Sequence, residues 1–368
     1  LKVKKETSVD VQIWAARSIA QVFDKLRLPF DRTEKTHSPS FTKNFLQNHA
    51  HPLVKLIARA REINKAHTTF IDTILKHSHN GRIYSEINQL RSDNGGTVTG
   101  RFSYSNPNLQ QIPARNKELG PAIRSLFIPE EGCKWGVFDY SQQEPRLVVH
   151  YAALQGLYGV NEVVDAYKEG DADFHSIVAD MAEIPRTQAK TINLGLFYGM
   201  GKNKLQAELG VSKDKADELF KKYHHRVPFV KQLMDNVMYR AQDSGRIRTL
   251  LGRACRFPLW EPAQFGIHKA LSHEEALREH GPGIKRAYTY KALNRLIQGS
   301  AADMTKKAML ELYNEGIIPH IQVHDELDIS VESDTMADKI KQIMEDAVTL
   351  EVPNKIDYEC GTNWGNIK

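Results

Sequence analysis

Cysteine is scarce in this chain of 368 residues. Cys133, Cys255 and Cys360 are too few and too widely spaced for a disulfide framework or a zinc site, and their use fits a reducing compartment. No run approaches the roughly 18 apolar residues of a membrane span, and no signal peptide precedes the first helical pattern. The glycine-rich loops that often cradle nucleotide phosphates are missing as well: neither G-x-x-x-x-G-K-[ST] nor G-x-G-x-x-G occurs. A triphosphate would have to be held some other way. The chain opens on Leu1 rather than methionine, as a fragment of a longer protein would.

What is present is a hydrophobic content of 41%, enough for two or three lobes, and a formal charge of +5 with a pI near 8.9. Such a mild excess of positive charge suits a polyanionic partner without requiring one.

One stretch organises the rest. From Ile317 to Val331, apolar residues alternate with polar ones on both sides of His324-Asp325-Glu326, with Ile321 and Val323 before and Leu327, Ile329 and Val331 after. Period-two alternation over two short runs predicts a β-hairpin with its tip at the three polar residues. A two-residue hairpin turn favours Asn-Gly or Asp-Gly, yet this tip has no glycine and two adjacent carboxylates. A turn that ignores its local preferences is a place to look for function.

Taken in order, residues 9–27 carry Ile13, Trp14, Ala16, Ile19, Val22, Phe23 and Leu26 at helical spacing, with Pro29 as the stop. Pro52 then opens a longer helix through Ile74, studded with Lys55, Arg59, Arg61 and Lys65. Thr99 to Pro113 is rich in groups that bond phosphate and sugar oxygens, Arg101 foremost. Lys134 to Asp139 reads as a short strand ending in an aspartate beside a helix start. Ser141 with Glu144 matches a capping box, but a helix starting at Pro145 is the more economical reading.

From Arg186 a helix repeats Arg186, Lys190, Leu194 and Tyr198 every four residues. Each such step turns by about 40° and rises about 6 Å, giving one stripe about 18 Å long of two cations, an apolar residue and an aromatic. That layout suits a nucleoside triphosphate, with phosphates on the cations, sugar on Leu194 and base on Tyr198. Gly195 and Gly199 cost about 1 kcal/mol each inside a helix, which suggests close approach of a ligand to the backbone.

These motifs, in this order, resemble the polymerase domain of family A DNA polymerases, probed most specifically by Asp139-Tyr-Ser-Gln-Gln-Glu144-Pro-Arg146, Arg186 to Gly199 and Val323-His324-Asp325-Glu326. Thr99 to Pro113 resembles the family's primer-template segment and Tyr290 to Asp303 the helix that reads the template base and minor groove. The resemblance spans essentially the whole chain and points to phage-type members. It implies an α/β (α+β) right-hand fold with an antiparallel-sheet palm, helical fingers and a helical thumb. The thumb would be residues 1–80, the palm 81–172 and 291–368, and the fingers 173–290.

By the same resemblance, Asp139, Tyr140 and Asp325 would bind two Mg²⁺ ions, with Mn²⁺ able to substitute, and Glu326 would be a secondary acidic partner. Primer extension would be two-metal phosphoryl transfer from dNTPs with release of pyrophosphate. His175, Arg186 and Lys190 would contact the triphosphate, Lys190 also as proton donor to pyrophosphate. Leu194 and Tyr198 would meet the sugar and base, and Glu144 would crowd a ribose 2′-hydroxyl. Arg101, Asn294, Gln298 and His324 would hold the primer-template minor groove, where shared acceptors test pair shape without reading sequence.

Some positions depart from the family pattern. Gln143 and Pro145 replace its usual isoleucine and leucine, Leu194 stands where it has Phe or Tyr, and Tyr290 where bacterial members have Arg. An enlarged segment, roughly 257–285, resembles phage insertions. No Asp-x-Glu of a proofreading exonuclease occurs in the first 80 residues, so no 3′ to 5′ exonuclease is expected in this chain. An exonuclease or helicase domain upstream, or separate replication proteins, could accompany it. A monomer is expected, acting on primer-template DNA and dNTPs and not on membranes, in the cytoplasm of a bacterial cell or phage-infected host, with an organelle left open. Three rivals keep a place: a single-subunit RNA polymerase, a two-metal nuclease and a non-catalytic DNA-binding accessory subunit.

Overall fold

The computed structural model describes residues 1–367 apart from 91–94, 114–115, 171, 198–201 and 265–268. It divides into two compact units, Leu1–Glu86 with Gln111–Leu126, and Ile87–Gln110 with Phe127–Lys368.

In the first unit, helix α1 (Ala16–Lys25) buries Ile19, Ala20, Val22 and Phe23 against α2 (Lys43–Asn48) and α3 (Pro52–Lys65). The helix expected over 9–27 is shorter. Ile13 and Trp14 precede it, because the Trp14 indole N–H donates to Asn64 at 2.7 Å and its ring lies under Arg61, 5.4 Å from the guanidinium. Arg27 is left-handed, with φ of 55°, so the chain leaves the helix before Pro29. Pro52 does open α3, and the His51 side chain accepts from Leu53 N–H as the cap. The long helix expected from there is interrupted by a π-helical turn, Ala66–Ile71, before α4 (Asp72–His77). One extra residue in that turn rotates the apolar face, which is why a strict helical period does not run through it.

The second unit is built on a four-stranded antiparallel sheet. Strands β1 (Lys134–Tyr140), β6 (Ile321–Val323), β7 (Glu326–Val331) and β8 (Ile356–Gly361) lie in the order β6-β7-β1-β8. Trp135 to Phe138 of β1 are all buried, as befits a central strand. Gly136 is required there, since a Cβ would lie 2.6 Å from Val331 Cγ2. Phe138 stacks on its cross-strand partner Tyr358 at 4.7 Å.

Helix α5 (Gln143–Leu154) follows β1 directly, and α11 (Ala292–Asn314) packs against it. Between them in sequence come α6 (Phe174–Ala182), α7 (Arg186–Phe197), α8 (Lys213–Arg226) and α9 (Pro228–Ser244), then the ribbon β2 (Arg246–Arg248) with β3 (Ala254–Arg256). The enlarged segment forms β4 (Trp260–Pro262), α10 (His273–His280) and β5 (Ile284–Arg286), with β4 paired to β5. Helix α12 (Asp334–Asp346) covers the sheet after a Ser333 cap. One apolar core joins the sheet to α5 through α9, α11 and α12. No helix among the described residues is long and apolar enough to cross a membrane.

Candidate active site

The expected hairpin forms, with Val323 paired to Glu326 and His324-Asp325 as its two-residue turn. His324 takes the left-handed conformation, φ 59°, that glycine or asparagine would adopt more cheaply. Neighbours hold the turn in place of local preference. Gln322 Nε2 donates to His324 O, Tyr104 hydroxyl accepts from Gln322 N–H at 3.2 Å, and Gln110 Nε2 donates to Gln322 O at 3.2 Å. Tyr104 and Gln110 belong to the polar segment 99–113, whose bracing role was not visible in the sequence.

The sheet register then gathers the acids. Asp139 is directly opposite Glu326 on one side and Asp357 on the other. Asp325 lies at the tip beside them, its carbonyl accepting from Tyr140 N–H at 3.3 Å. Burial first, then the charges of Asp325, Glu326 and Asp357, push the Asp139 carboxyl up to about 8. Burial also raises Asp325, opposed by its own backbone amide and by Arg101. Asp357 was missed from sequence, because nothing but the register of a distant strand brings it here.

This crowding fits a divalent cation, which takes hard oxygen ligands and relieves repulsion between carboxylates. No group of three or more His, Cys, Asp or Glu side chains among the described residues is arranged to hold an ion unaided. Asp139 and Asp325 could therefore supply only part of a coordination shell, with other oxygen ligands completing it. The Tyr140 phenol is buried and donates to Met344 O at 2.6 Å, which leaves only its backbone as a ligand.

The turn after β1 fits neither the helix start expected at Pro145 nor the capping box of Ser141 with Glu144. Gln142 is left-handed, φ 54°, and α5 begins at Gln143. Pro145 is thereby the third helical residue, and the first helical bond runs from Arg146 N–H to Gln142 O at 3.0 Å, so the missing proline amide costs nothing. Gln142 also accepts from Phe174 N–H at 2.8 Å and donates to Ala172 O at 2.9 Å, tying this turn to α6. Glu144, in the first turn of α5, accepts from Arg101 Nη2 at 2.6 Å.

A second cluster lies on α6 and α7. Arg186 and Lys190 are exposed and Leu194 half-exposed, while Ala189, Ile192 and Asn193 are buried, so the expected stripe lies on the open face of α7. Tyr198 and Gly199 lie outside the described residues. Arg186 Nε donates to Asp173 at 2.7 Å. His175 is nearly buried, and burial lowers its pKa, with Lys190 and Arg186 acting in the same direction against Asp173. The neutral ring accepts at Nδ1 from Asn193 Nδ2 at 3.0 Å, and Asn193 is itself held by the Tyr223 hydroxyl. That chain leaves the His175 proton on Nε2. Asp173, Asn193 and Tyr223 had no sequence signal beyond the helix-capping position of Asp173.

Asn294 and Gln298 lie four residues apart on α11, both half-buried. Gln143 Nε2 donates to Thr305 Oγ1 at 3.3 Å and Tyr151 bonds Ser300 at 2.7 Å, which fixes α11 against α5. Arg253, in the turn between β2 and β3, was not foreseen. Its guanidinium donates to Thr99 O, to Gly299 O at 3.0 Å and to Asp303 at 3.3 Å, joining the loop that carries Arg101 to α11.

Residues 4–366 match the sequence pattern of DNA polymerase family A, and the chain belongs to that family. A DNA-directed DNA polymerase of Pseudomonas phage M6 is 35% identical over 96% of this chain and 57% of the phage protein. DNA polymerase I of Geobacillus stearothermophilus is 34% identical over 94% of this chain and 39% of its own length. Among solved structures, the POL domain of Pol1 from M. smegmatis, in complex with DNA primer-template and dNTP, aligns with a TM-score of 0.76 at 27% identity. That alignment covers 99% of this chain and 63% of the mycobacterial one. The right-hand polymerase fold of mixed helix and sheet is thus borne out, and the chain spans a little over half the length of its phage relative.

Proposed function

We propose that this chain is a template-directed DNA polymerase that adds deoxynucleoside monophosphates from dNTPs to a primer 3′-hydroxyl and releases pyrophosphate. The observation that carries it is the register that sets Asp139 against Glu326 beside Asp325, on the same unit as the cationic face of α7. In this reading the residues 1–80 act as thumb, 81–172 and 291–368 as palm, and 173–290 as fingers. Primer-template DNA and dNTPs are the partners, and synthesis without proofreading is the activity of this chain.

Asp139, Asp325 and the Tyr140 backbone would hold two Mg²⁺ ions, with Mn²⁺ as a substitute. When bound there, divalent cations supply Lewis-acid activation of the primer hydroxyl and charge neutralisation of the phosphates. Arg186 and Lys190 bind the triphosphate, and Lys190 is the proton donor to the leaving pyrophosphate. His175, neutral with its proton on Nε2, donates a hydrogen bond to a phosphate oxygen without adding charge. Leu194 and Tyr198 bound the sugar and base. Glu144 crowds the 2′ position, held there by Arg101. Arg101, Asn294, Gln298 and His324 contact the minor groove of the growing end.

Primer extension on a primed DNA template with Mg²⁺, comparing dNTPs with rNTPs, tests this reading. Extension with dNTPs alone is expected. Extension with rNTPs alone would indicate an RNA polymerase, and binding without extension an accessory subunit.

A further inference from the structure

Asn193 places an amide on the buried side of α7, between Ile192 and Leu194, and Tyr223 of α8 is buried just as completely. Apolar residues would fill both places without desolvating a polar atom, so these polar groups call for partners. They find them in each other and in His175. The Tyr223 hydroxyl donates to Asn193 Oδ1, and Asn193 Nδ2 donates to His175 Nδ1 at 3.0 Å. Three helices, α8, α7 and α6, thus contribute one side chain each to a single line that ends on the imidazole.

The line runs in one direction because of its buried end. Among the described residues the Tyr223 hydroxyl bonds Asn193 alone, and burial raises its pKa, so the phenol keeps its proton. A buried O–H without an acceptor loses more than an under-used lone pair does, so the phenol must donate. Asn193 therefore turns its oxygen toward Tyr223 and its N–H toward His175. Facing a donor, Nδ1 can only accept, which puts the ring proton on Nε2. Without the phenol the amide could rotate, accept from a proton on Nδ1 and leave a bare lone pair on Nε2.

We propose that Tyr223 is a positioning residue for the triphosphate site, its hydroxyl acting through Asn193 to fix which nitrogen of His175 carries the proton. The consequence for catalysis rests on the polymerase reading, in which Nε2 meets a phosphate oxygen. A donor there is attracted and a lone pair repelled. Positive charge is already supplied by Arg186 and Lys190, which act on the ring together with Asp173. What Tyr223 adds is direction.

The test uses the full chain labelled with ¹⁵N-histidine, at a pH where the imidazole is neutral, with the His175 signals assigned by their loss in His175→Gln. Wild type is expected to show a pyridine-type Nδ1 and a pyrrole-type Nε2, and Tyr223→Phe to move both toward intermediate shifts. A proton on Nδ1 in wild type, or an unchanged spectrum in Tyr223→Phe, would overturn the proposal. In primer extension, Tyr223→Phe should raise the KM for dNTP by about 2- to 10-fold, the worth of one hydrogen bond, with kcat little changed. His175→Gln keeps an N–H donor near the place of Nε2 but has no tautomer to set, so adding Tyr223→Phe to it should change KM no further. An equal rise in that background would make Tyr223 merely structural and overturn its positioning role. A changed spectrum with an unchanged KM would uphold the relay and overturn the phosphate contact assigned to His175.

Discussion

Arg101 Nη2 donates to Glu144 Oε1 at 2.6 Å, and both side chains are mostly buried. The pair joins the residue assigned to the minor groove to the one assigned to the sugar, so a change in either should be felt by both. Glu144→Ala is expected to raise ribonucleotide incorporation relative to deoxynucleotide by about 10- to 100-fold, because it opens the space beside the 2′ carbon. Arg101→Ala should lower extension while moving sugar selectivity in the same direction. Single-nucleotide incorporation with each substrate measures both, and unchanged selectivity in Glu144→Ala would remove Glu144 from the sugar gate.

Asp173 engages Arg186, so in the proposed reading a triphosphate would compete with that carboxylate for it. Burial would raise the Asp173 carboxyl, but hydrogen bonds from Arg186 and Ser176 outweigh it and bring it down to about 2. With a folded pKa below the unfolded value, the pair contributes fully above about pH 4 and is lost as pH falls toward 2. It is half-exposed and screened by solvent, so it adds little to global stability. Nucleotide affinity should therefore show no dependence on this pair between pH 5 and 8. Asp173→Asn keeps a capping side chain and frees Arg186, and is expected to lower the KM for dNTP several-fold. An unchanged or raised KM would mean that Arg186 does not meet the triphosphate.

Arg253 fills the space that side chains at two glycines would need. A Cβ on Gly299 would lie 2.7 Å from its Nη2, and one on Gly100 2.6 Å from its Cζ. Gly299→Ala is expected to cost about 1–3 kcal/mol by forcing the guanidinium out of its three-way contact. Arg253→Lys should cost a similar amount, since an ammonium lacks the planar fork. Thermal denaturation tests both, and a neutral Gly299→Ala would show that Arg253 has room to move.

Much of the site could be read from the sequence because its carriers follow simple periods. The alternation around His324-Asp325 gave the hairpin, and spacing by four gave the open face of α7. Asp139 at a strand's end was legible for the same reason. What escaped depended on long-range pairing or on unusual backbone. Asp357 joins the acids only through the β1–β8 register, and Arg253 reaches Thr99 across more than 150 positions of sequence. Gln142 hides a left-handed turn under a motif that resembles a capping box. In the first unit the π-helical turn and the Trp14–Asn64 bond broke helices that periodicity had run too long.

Asp139 and Asp325 repel each other, and that repulsion allows the activity proposed for them to be separated from stability. An acid raised to about 8 on folding takes up a proton, so the ligand-free protein should lose stability as pH rises from about 4 to 8. Asp139→Asn removes that penalty. The decisive measurement is single-turnover dNTP incorporation with Mg²⁺ by Asp139→Asn and Asp325→Asn, alongside primer-template affinity and the Tm in metal-free buffer. Incorporation is expected to fall by about 10²-fold or more in both variants, with DNA affinity within a few-fold of wild type and a higher Tm for Asp139→Asn. Incorporation at the wild-type rate in either variant would contradict the proposed activity.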